Sequence, residues 1–342
     1  MSLVFNMCRP AFRFDIHRAT VAATMSHTIK GIAKHEDKYL IALNDESWNL
    51  YAAWVSHNKY SPPAQLNATG TYPAAGIAVG SDIVYIPISD KDGGALYKDR
   101  YLVRLESSQF INPSQGGFTY TALANIRLNR FINGMNALMY GAGKRDKPIV
   151  AFANYPTVAI QVQGWGFAGE EAVDISMCRD AATNIKVAIV TDAGRVQIAS
   201  AKEDGALQSD AILVPATNSE KLVMLPGDSV TKYRCAYVQK TETGYRLVSR
   251  YGDGTEVISP DFAAQGCTII GAGRIGKTAA IVYSDEQKNG RVYVNTDGVN
   301  GRSYPLDIAD PAAMCQTDTG IAVIGRTDGT SKQYIVVEVN PA

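Results

Sequence analysis

The stretch CTIIGAGRIGKTAAIVYSDE, residues 267–286, decides how this chain is read. Inside it lies GAGRIGKT, which satisfies G-x-x-x-x-G-K-[ST], the pattern of a loop whose backbone amides cradle phosphates. Gly271, Gly276, Lys277 and Thr278 would be its working residues. Such a loop works only between a strand and a helix, because the helix N-terminus supplies the free amides and the dipole that hold the anion. The residues from Thr278 onward, TAAIVYSDEQKNGRVYV, read instead as a strand, an Asn-Gly turn and a second strand. Too little chain follows for the remaining strands and helices of a nucleotide-binding α/β fold. A near copy, YGAGKRDKPIVAF at 140–152, aligns glycine on glycine and Lys147 on Lys277, but has Pro148 where the magnesium-binding hydroxyl should stand. An element that recurs, and is broken in one copy, belongs to a repeat. The expectation is a hairpin whose glycines supply positive φ, and a coincidental match to the phosphate loop.

Outward from this hairpin, helical periodicity is nearly absent. Short runs rich in Val, Ile, Tyr and Ala, such as YLIALND, PIVAFAN, KVAIVTD, RCAYVQK and YIVVEVN, alternate with polar turns containing Asp-Gly, Asn-Gly or Pro. They come in hairpin pairs, each preceded by a strand of small residues. These first strands begin near residues 29, 74, 134, 173, 221, 267 and 312, a spacing in the range of propeller blades. A third strand and a weaker fourth complete each unit, as AILVPAT (211–217) and SYPLDIA (303–309) illustrate. The chain therefore resembles an all-β, seven-bladed β-propeller forming a single domain over residues 1–342. The resemblance is to the architecture: the Trp-Asp dipeptides of WD40 repeats, the paired glycines of kelch repeats and the Asp box of sialidases are missing. A pair of β-sandwiches is the alternative that the strand pattern leaves open.

The last unit ends on YIVVEVNPA, its third strand, so a closed ring needs a fourth from elsewhere. RFDIHRATVAAT (13–24) lines up with PLDIADPAAMCQ (305–316), which makes residues 11–17 the expected closing strand. Two other readings of this segment are an organellar transit peptide and a natural start at Met25 rather than Met1.

Charge and composition narrow the function classes. Lysine and arginine balance aspartate and glutamate, 33 against 33, so the bulk field gives no reason to expect general nucleic-acid or membrane-surface binding. Five scattered cysteines, with no C-x-x-C, point to a reducing compartment and away from a disulfide framework or zinc site. Cys178, Cys267 and Cys315 take similar places in their units and are expected to pack. No secretory signal or membrane-spanning run is visible, and the expected location is the cytoplasm or a virion.

Candidate sites follow from the repeat. Turns between first and second strands share one face of a propeller and carry Lys34, Lys38, Lys144, Arg145, Lys147, Arg179, Lys232, Arg274 and Lys277. Turns between second and third strands share the other, with Asp45, Glu46, Asp90, Asp92, Asp285 and Glu286 among them. Two faces of opposite sign would meet different partners, although Asp and Asn also occur here simply because they make good turns. Asp90 and Asp92, in SDKDGG, are a weak metal candidate that lacks the sixth-position glycine and twelfth-position glutamate of an EF-hand. Trp48, Trp54 and Trp165 do not recur at one position, so a glycan would find one site rather than seven. No cofactor is expected. The expected function is a non-catalytic interaction scaffold, such as a virion or phage-tail part, with other proteins as partners. The alternatives are a carbohydrate-binding module with one site and a propeller-type glycan hydrolase.

Overall fold

The structure is a computed structural model that describes residues 12–19, 27–47, 49–56, 59–60, 64–65, 78–79, 83–86, 101–106, 109–110, 126–132, 135–144, 147–154, 159–164, 170, 172–179, 185–201, 212–214, 218–228, 233–330 and 333–342. Their regular structure is all strand, and among them no helix is long and apolar enough to cross a membrane.

After β1 (Phe12–Ala19), the chain lays down antiparallel sheets in sequence order. The first holds β2 (Thr28–His35), β3 (Lys38–Asn44), β4 (Leu50–Ser56) and β5 (Lys59–Tyr60), with β6 (Ala64–Gln65) also on β4. The second holds β7 (Ala78–Val79), β8 (Ile83–Ile86), β9 (Tyr101–Glu106) and β10 (Gln109–Phe110). The third holds β11 (Ile126–Ile132), β12 (Met135–Lys144), β13 (Lys147–Asn154) and β14 (Ala159–Gly164). The fourth holds β15 (Ala172–Arg179), β16 (Ile185–Thr191), β17 (Val196–Ala201) and β18 (Ile212–Val214). The fifth holds β19 (Ser219–Pro226), β20 (Tyr233–Lys240), β21 (Gly244–Tyr251) and β22 (Glu256–Ala264).

The remaining strands form one seven-stranded sheet: β23 (Thr268–Ile275), β24 (Thr278–Ser284), β25 (Asn289–Asn295), β26 (Gly301–Gln316), β27 (Ile321–Arg326), β28 (Tyr334–Pro341) and, on its far edge, β1. It is two four-stranded units sharing β26. The first part of β26 pairs with β25, and Ala313–Gln316 pair with β27. Between them Asp307 and Asp310 take positive φ of 51° and 43°, and Pro311 withholds a donor, so the strand bends from one unit into the next. The expected outer strand at 303–309 and inner strand from 312 are thus one element. The expected strand at 11–17 is β1, which runs antiparallel to β28 from Phe12 opposite Pro341 to Ala19 opposite Tyr334.

The first strands lie side by side. β2 neighbours β7, then β11, β15, β19, β23 and the last part of β26 follow, and β26 neighbours β2. The first, fourth, fifth and last sheets are buried on both faces, which explains runs such as TAAIVYS that do not alternate with polar residues. Alternate residues serve opposite seams. On β24, Ala280 and Val282 pack toward β27, whereas Ala279, Ile281 and Tyr283 pack toward β20. On β20, Ala236 and Val238 share that second seam, whereas Cys235 and Tyr237 join Leu222, Met224 and Val190 in the next. On β27, Ala322 and Ile324 pack with Ile32, Ile41 and Tyr39 of the first sheet.

First strands have a free edge, and side chains of the neighbouring sheet occupy part of it. Asp174 and Ser176, both on β15, accept the amides of Leu222 (2.8 Å) and Met224 (2.9 Å) on β19. Two residues on, β15 has buried Cys178 and β19 has Pro226, which carries no N–H. At β23, the Arg274 amide donates to Gln316 Oε1 at 2.8 Å, and Gln316 Nε2 returns a bond to the Arg274 carbonyl at 2.8 Å. The seam between the first and last sheets is different. Lys34 Nζ lies 2.7 Å from Glu338 Oε1, and the Tyr39 hydroxyl donates to Glu338 Oε2. Burial pushes the Glu338 carboxyl up, but the bonds from Lys34 and Tyr39 outweigh it and hold the group below the usual carboxylate range. Burial and Glu338 together push the Cys315 thiol, against the Lys34 amide, up to about 12.

Three expectations change. The first strand of the third sheet is β11 (Ile126–Ile132), and the strand expected to begin that unit near 134 is its second, β12, because β11 is the strand that meets β7 and β15. Cys178 and Cys315 do sit alike, near the ends of their first strands, but Cys267 precedes β23 at the opposite end, beside Asp285 and Glu286. Only Gly276 of the glycines near 270 serves the turn. Gly271 and Gly273 lie inside β23, where a Cβ would stand 2.7 Å from Met314 and 2.6 Å from Ile321, so they permit close approach of the next unit.

Candidate functional site

The apparent phosphate loop is the β23–β24 hairpin. Ile275 pairs with Thr278 across a two-residue turn, Gly276–Lys277, with Gly276 at φ +59°. A glycine with positive φ at the first central position suits a type II′ turn, whose twist matches the flanking strands. Thr278 begins β24, so the helix that the motif requires is replaced by a strand. The β2–β3 hairpin has the same length, His35 pairing with Lys38, but Glu36 takes the left-handed φ of 53°. In the β12–β13 hairpin Lys144 pairs with Lys147, and Arg145 lies outside the described residues.

The β23–β24 and β2–β3 hairpins join first and second strands and stand at one end of their sheets, with Lys277 exposed at its tip. The β12–β13 hairpin joins the second and third strands of its sheet and so belongs to the other end, which separates Lys144 and Lys147 from the turns they were expected to share. Its carbonyl accepts Arg234 Nη2 at 3.3 Å, and the Gly276 amide donates to Thr319 of the adjacent turn at 2.8 Å. Lys34 belongs to the Glu338 ion pair, and the Lys38 ammonium stands 5.5 Å from the centre of the Trp54 ring. Glu36 and Asp37 add two exposed acids at this end.

At the other end, Asp45 and Asp285 do the same local work in the β3–β4 and β24–β25 turns. Asp45 Oδ1 accepts the amides of Ser47 (2.9 Å) and Asn49 (2.8 Å), while Oδ2 accepts Asn49 Nδ2 (2.8 Å) and the Tyr51 hydroxyl (3.2 Å). Asp285 accepts the amides of Gln287 (3.1 Å) and Asn289 (2.8 Å), and Arg291 Nε at 3.0 Å. Burial raises both carboxyls, but these donors outweigh it and hold both low. They are turn braces first. Glu46 and Glu286 are the exposed tips. The Asn-Gly pair expected at the centre of the second turn lies instead in β25, and Lys288 takes the positive φ, 65°. Asp90 and Asp92 fall outside the described residues, as do Trp48 and Trp165. Among the described residues no cluster of His, Cys, Asp and Glu is arranged to hold a metal ion.

A site that the sequence reading missed lies between the fifth sheet and the first unit of the last. There a cleft of about 210 Å³ is lined by Pro260, Asp261 and Phe262 of β22, Tyr293 of β25, and Val299, Asn300, Gly301 and Ser303. Register shifts around residues 258–263 let β22 bulge toward its neighbour. The Phe262 ring stacks on Tyr293 with centroids 4.4 Å apart and planes 12° from parallel. The phenol end of Tyr293 fills the space a side chain at Gly301 would need, with Tyr293 Cζ and Oη 2.1 Å from an added Cβ. Asp297 braces the far wall, accepting the amides of Val299 (2.9 Å) and Asn300 (2.6 Å) and Asn300 Nδ2 (2.8 Å). Ser303 Oγ accepts the Tyr283 hydroxyl at 3.0 Å, and Tyr293 Oη accepts Asn295 Nδ2 at 3.1 Å, so each retains a hydroxyl proton to donate. The one signal in the sequence was Pro260 inside an outer strand, which marks an edge or bulge.

No known protein family and no curated protein sequence matches the chain. Solved structures do. The WD40 domain of Toxoplasma gondii coronin superposes with a TM-score of 0.62 at 10% identity, covering 97% of this chain and 87% of that one. BBS1N, in a complex with ARL6DN, gives 0.60 at 13% identity, with 97% and 98% covered. A lectin from Burkholderia pseudomallei gives 0.59 at 13% identity, with 89% and 97% covered. At such identities the likeness speaks for the fold alone: this chain is an all-β protein of the β-propeller type.

Proposed function

We propose that the chain is a single seven-bladed β-propeller, closed where β1 completes the last blade, and that it acts as a non-catalytic interaction module. The observation that carries the reading is the seam between the first and last sheets, where β2 packs on β26 and Glu338 binds Lys34 and Tyr39. A ring closed in this way is a firm disc that presents hairpin turns at both ends. Arg274 and Lys277 are the contacts proposed at one end, and Glu46 and Glu286, with Lys144 and Lys147 of another second-to-third-strand turn, those at the other. Partners are other proteins, as for the neighbour BBS1N, which is seen with ARL6DN. The narrower expectation of a virion part draws no support from these neighbours and is left aside.

The test is cross-linked capture by the full chain, beside an activity panel of glycosides, esters and phosphate esters. The expected result is a stoichiometric protein partner lost on charge reversal at Arg274 and Lys277, or at Glu46 and Glu286, with no turnover. Saturable turnover abolished by substitution of one cleft or turn residue would overturn the reading.

A second reading, a carbohydrate-binding module with one site, is favoured by the aromatic and hydroxyl lining of the cleft, and a lectin stands among the structural neighbours. The hydrolase alternative has less behind it, since Asp261 is the sole carboxylate among the lining residues and hydrolysis of a glycoside uses two.

A further inference from the structure

We infer that the cleft between β22 and β25–β26 takes one neutral saccharide ring. The inference rests on the carbohydrate reading of this cleft and specifies its ligand. Its chemistry is balanced for a neutral, hydroxylated molecule. Ser303 and Tyr293 keep hydroxyl protons to donate, since each oxygen already accepts a bond from within the protein. Asn300 donates one amide hydrogen to Asp297 Oδ2, which leaves its second hydrogen to donate and its carbonyl oxygen to accept. Asp261 adds a carboxylate whose Oδ2 is engaged by Thr241 (3.0 Å) and Thr243, and whose Oδ1 remains an acceptor. Phe262, Pro260 and Val299, the last 46% exposed, supply the apolar surface that a C–H face of a pyranose covers.

The same lining selects against charge of one sign. It contains no lysine or arginine. The nearby Arg302 is turned away, its guanidinium 5.4 Å from the Tyr304 ring centre. A sialic or uronic acid would therefore bring its carboxylate toward Asp261 with no cation to meet it. The volume, about 210 Å³, suits one ring with its neighbours projecting into solvent, rather than a buried oligosaccharide. The site is also pre-formed, because Gly301 and the Asp297 turn fix Tyr293 and Asn300 from behind.

The experiment is saturation-transfer NMR on the full chain. Free fucose, galactose, mannose and N-acetylglucosamine are compared with N-acetylneuraminic and glucuronic acids. At least one neutral sugar is expected to receive saturation, and neither acid. Asn300→Ala is expected to weaken binding about tenfold, the scale of one lost hydrogen bond with its neighbour left unpaired. Phe262→Ala should abolish it, and Val299→Arg, at an exposed position that leaves the core untouched, should block the mouth. Binding of the acids alone would overturn the neutral class while sparing the carbohydrate reading. Neutral binding unchanged in all three variants would overturn this cleft as the site, again sparing that reading. No binding of any sugar would remove both.

Discussion

Two seams of this molecule solve one problem in different ways. Between the fourth and fifth sheets, which follow each other along the chain, Asp174 and Ser176 cap edge amides of β19 above an apolar layer. Between the first and last sheets, which the chain links only through the edge strand β1, Glu338 of β28 is sunk between the sequence-distant Lys34 and Tyr39 beside Cys315. A short connection holds consecutive sheets at high effective concentration, so backbone capping suffices there. Distant segments need a contact that rejects other pairings. A buried ion pair is costly to form and more costly to break, which suits register better than raw stability. The lesson is that the first and last sheets meet through a buried ion pair where the fourth and fifth meet through capped amides.

The largest expected effect tests that contrast directly. Glu338→Ala strands the Lys34 ammonium and the Tyr39 hydroxyl and should cost about 3 kcal/mol in urea unfolding. Asp174→Ala, which leaves the Leu222 amide without its partner, should cost about 2 kcal/mol, and Ser176→Ala about 1 kcal/mol. If Asp174→Ala proved the more damaging, the contrast between the seams would fail.

The pH dependence sharpens it. Glu338 is held below the usual carboxylate range, so its contribution is fully present above the unfolded value of about 4.3 and is lost as pH falls through the lower folded value. Urea midpoints should therefore fall more steeply with acid in the wild type than in Glu338→Gln. Parallel acid limbs would show that this carboxylate is not the one being titrated.

The smallest effects concern the paired hairpins. Glu36→Gly should gain up to about 1 kcal/mol by relieving a left-handed φ, and Gly276→Ala should lose about 1 kcal/mol, because nothing but backbone strain opposes a methyl there. Thermal unfolding checks both, and equal melting points would show that the two turns are not alike.

What could be read from the sequence was local or repeated. The strand after Thr278, the first strands other than the third and the match of residues 13–24 with 305–316 follow from patterning along one chain, whereas the strand near 134, expected first in its unit, is the second of its sheet. What escaped depends on which strands lie side by side. The task of Gly271 is set by Met314, that of Asp174 by Leu222, and the withdrawal of Lys34 from the basic turns by Glu338. Asn289–Gly290 looked like a turn because the dipeptide favours one, yet Asp285 captures the Asn289 amide and moves the turn back by a few residues. The cleft escaped because Phe262 and Asn300 belong to different sheets and meet only across a bulge.

Hydrogen exchange, followed by mass spectrometry on the intact chain, tests ring closure most directly. Residues 12–19 and 334–341 should be protected to the same degree and lose protection together in Glu338→Ala, since they are paired along their whole length. Exchange of residues 12–19 at the rate of a free peptide, with 334–341 still protected, would contradict a ring closed by β1.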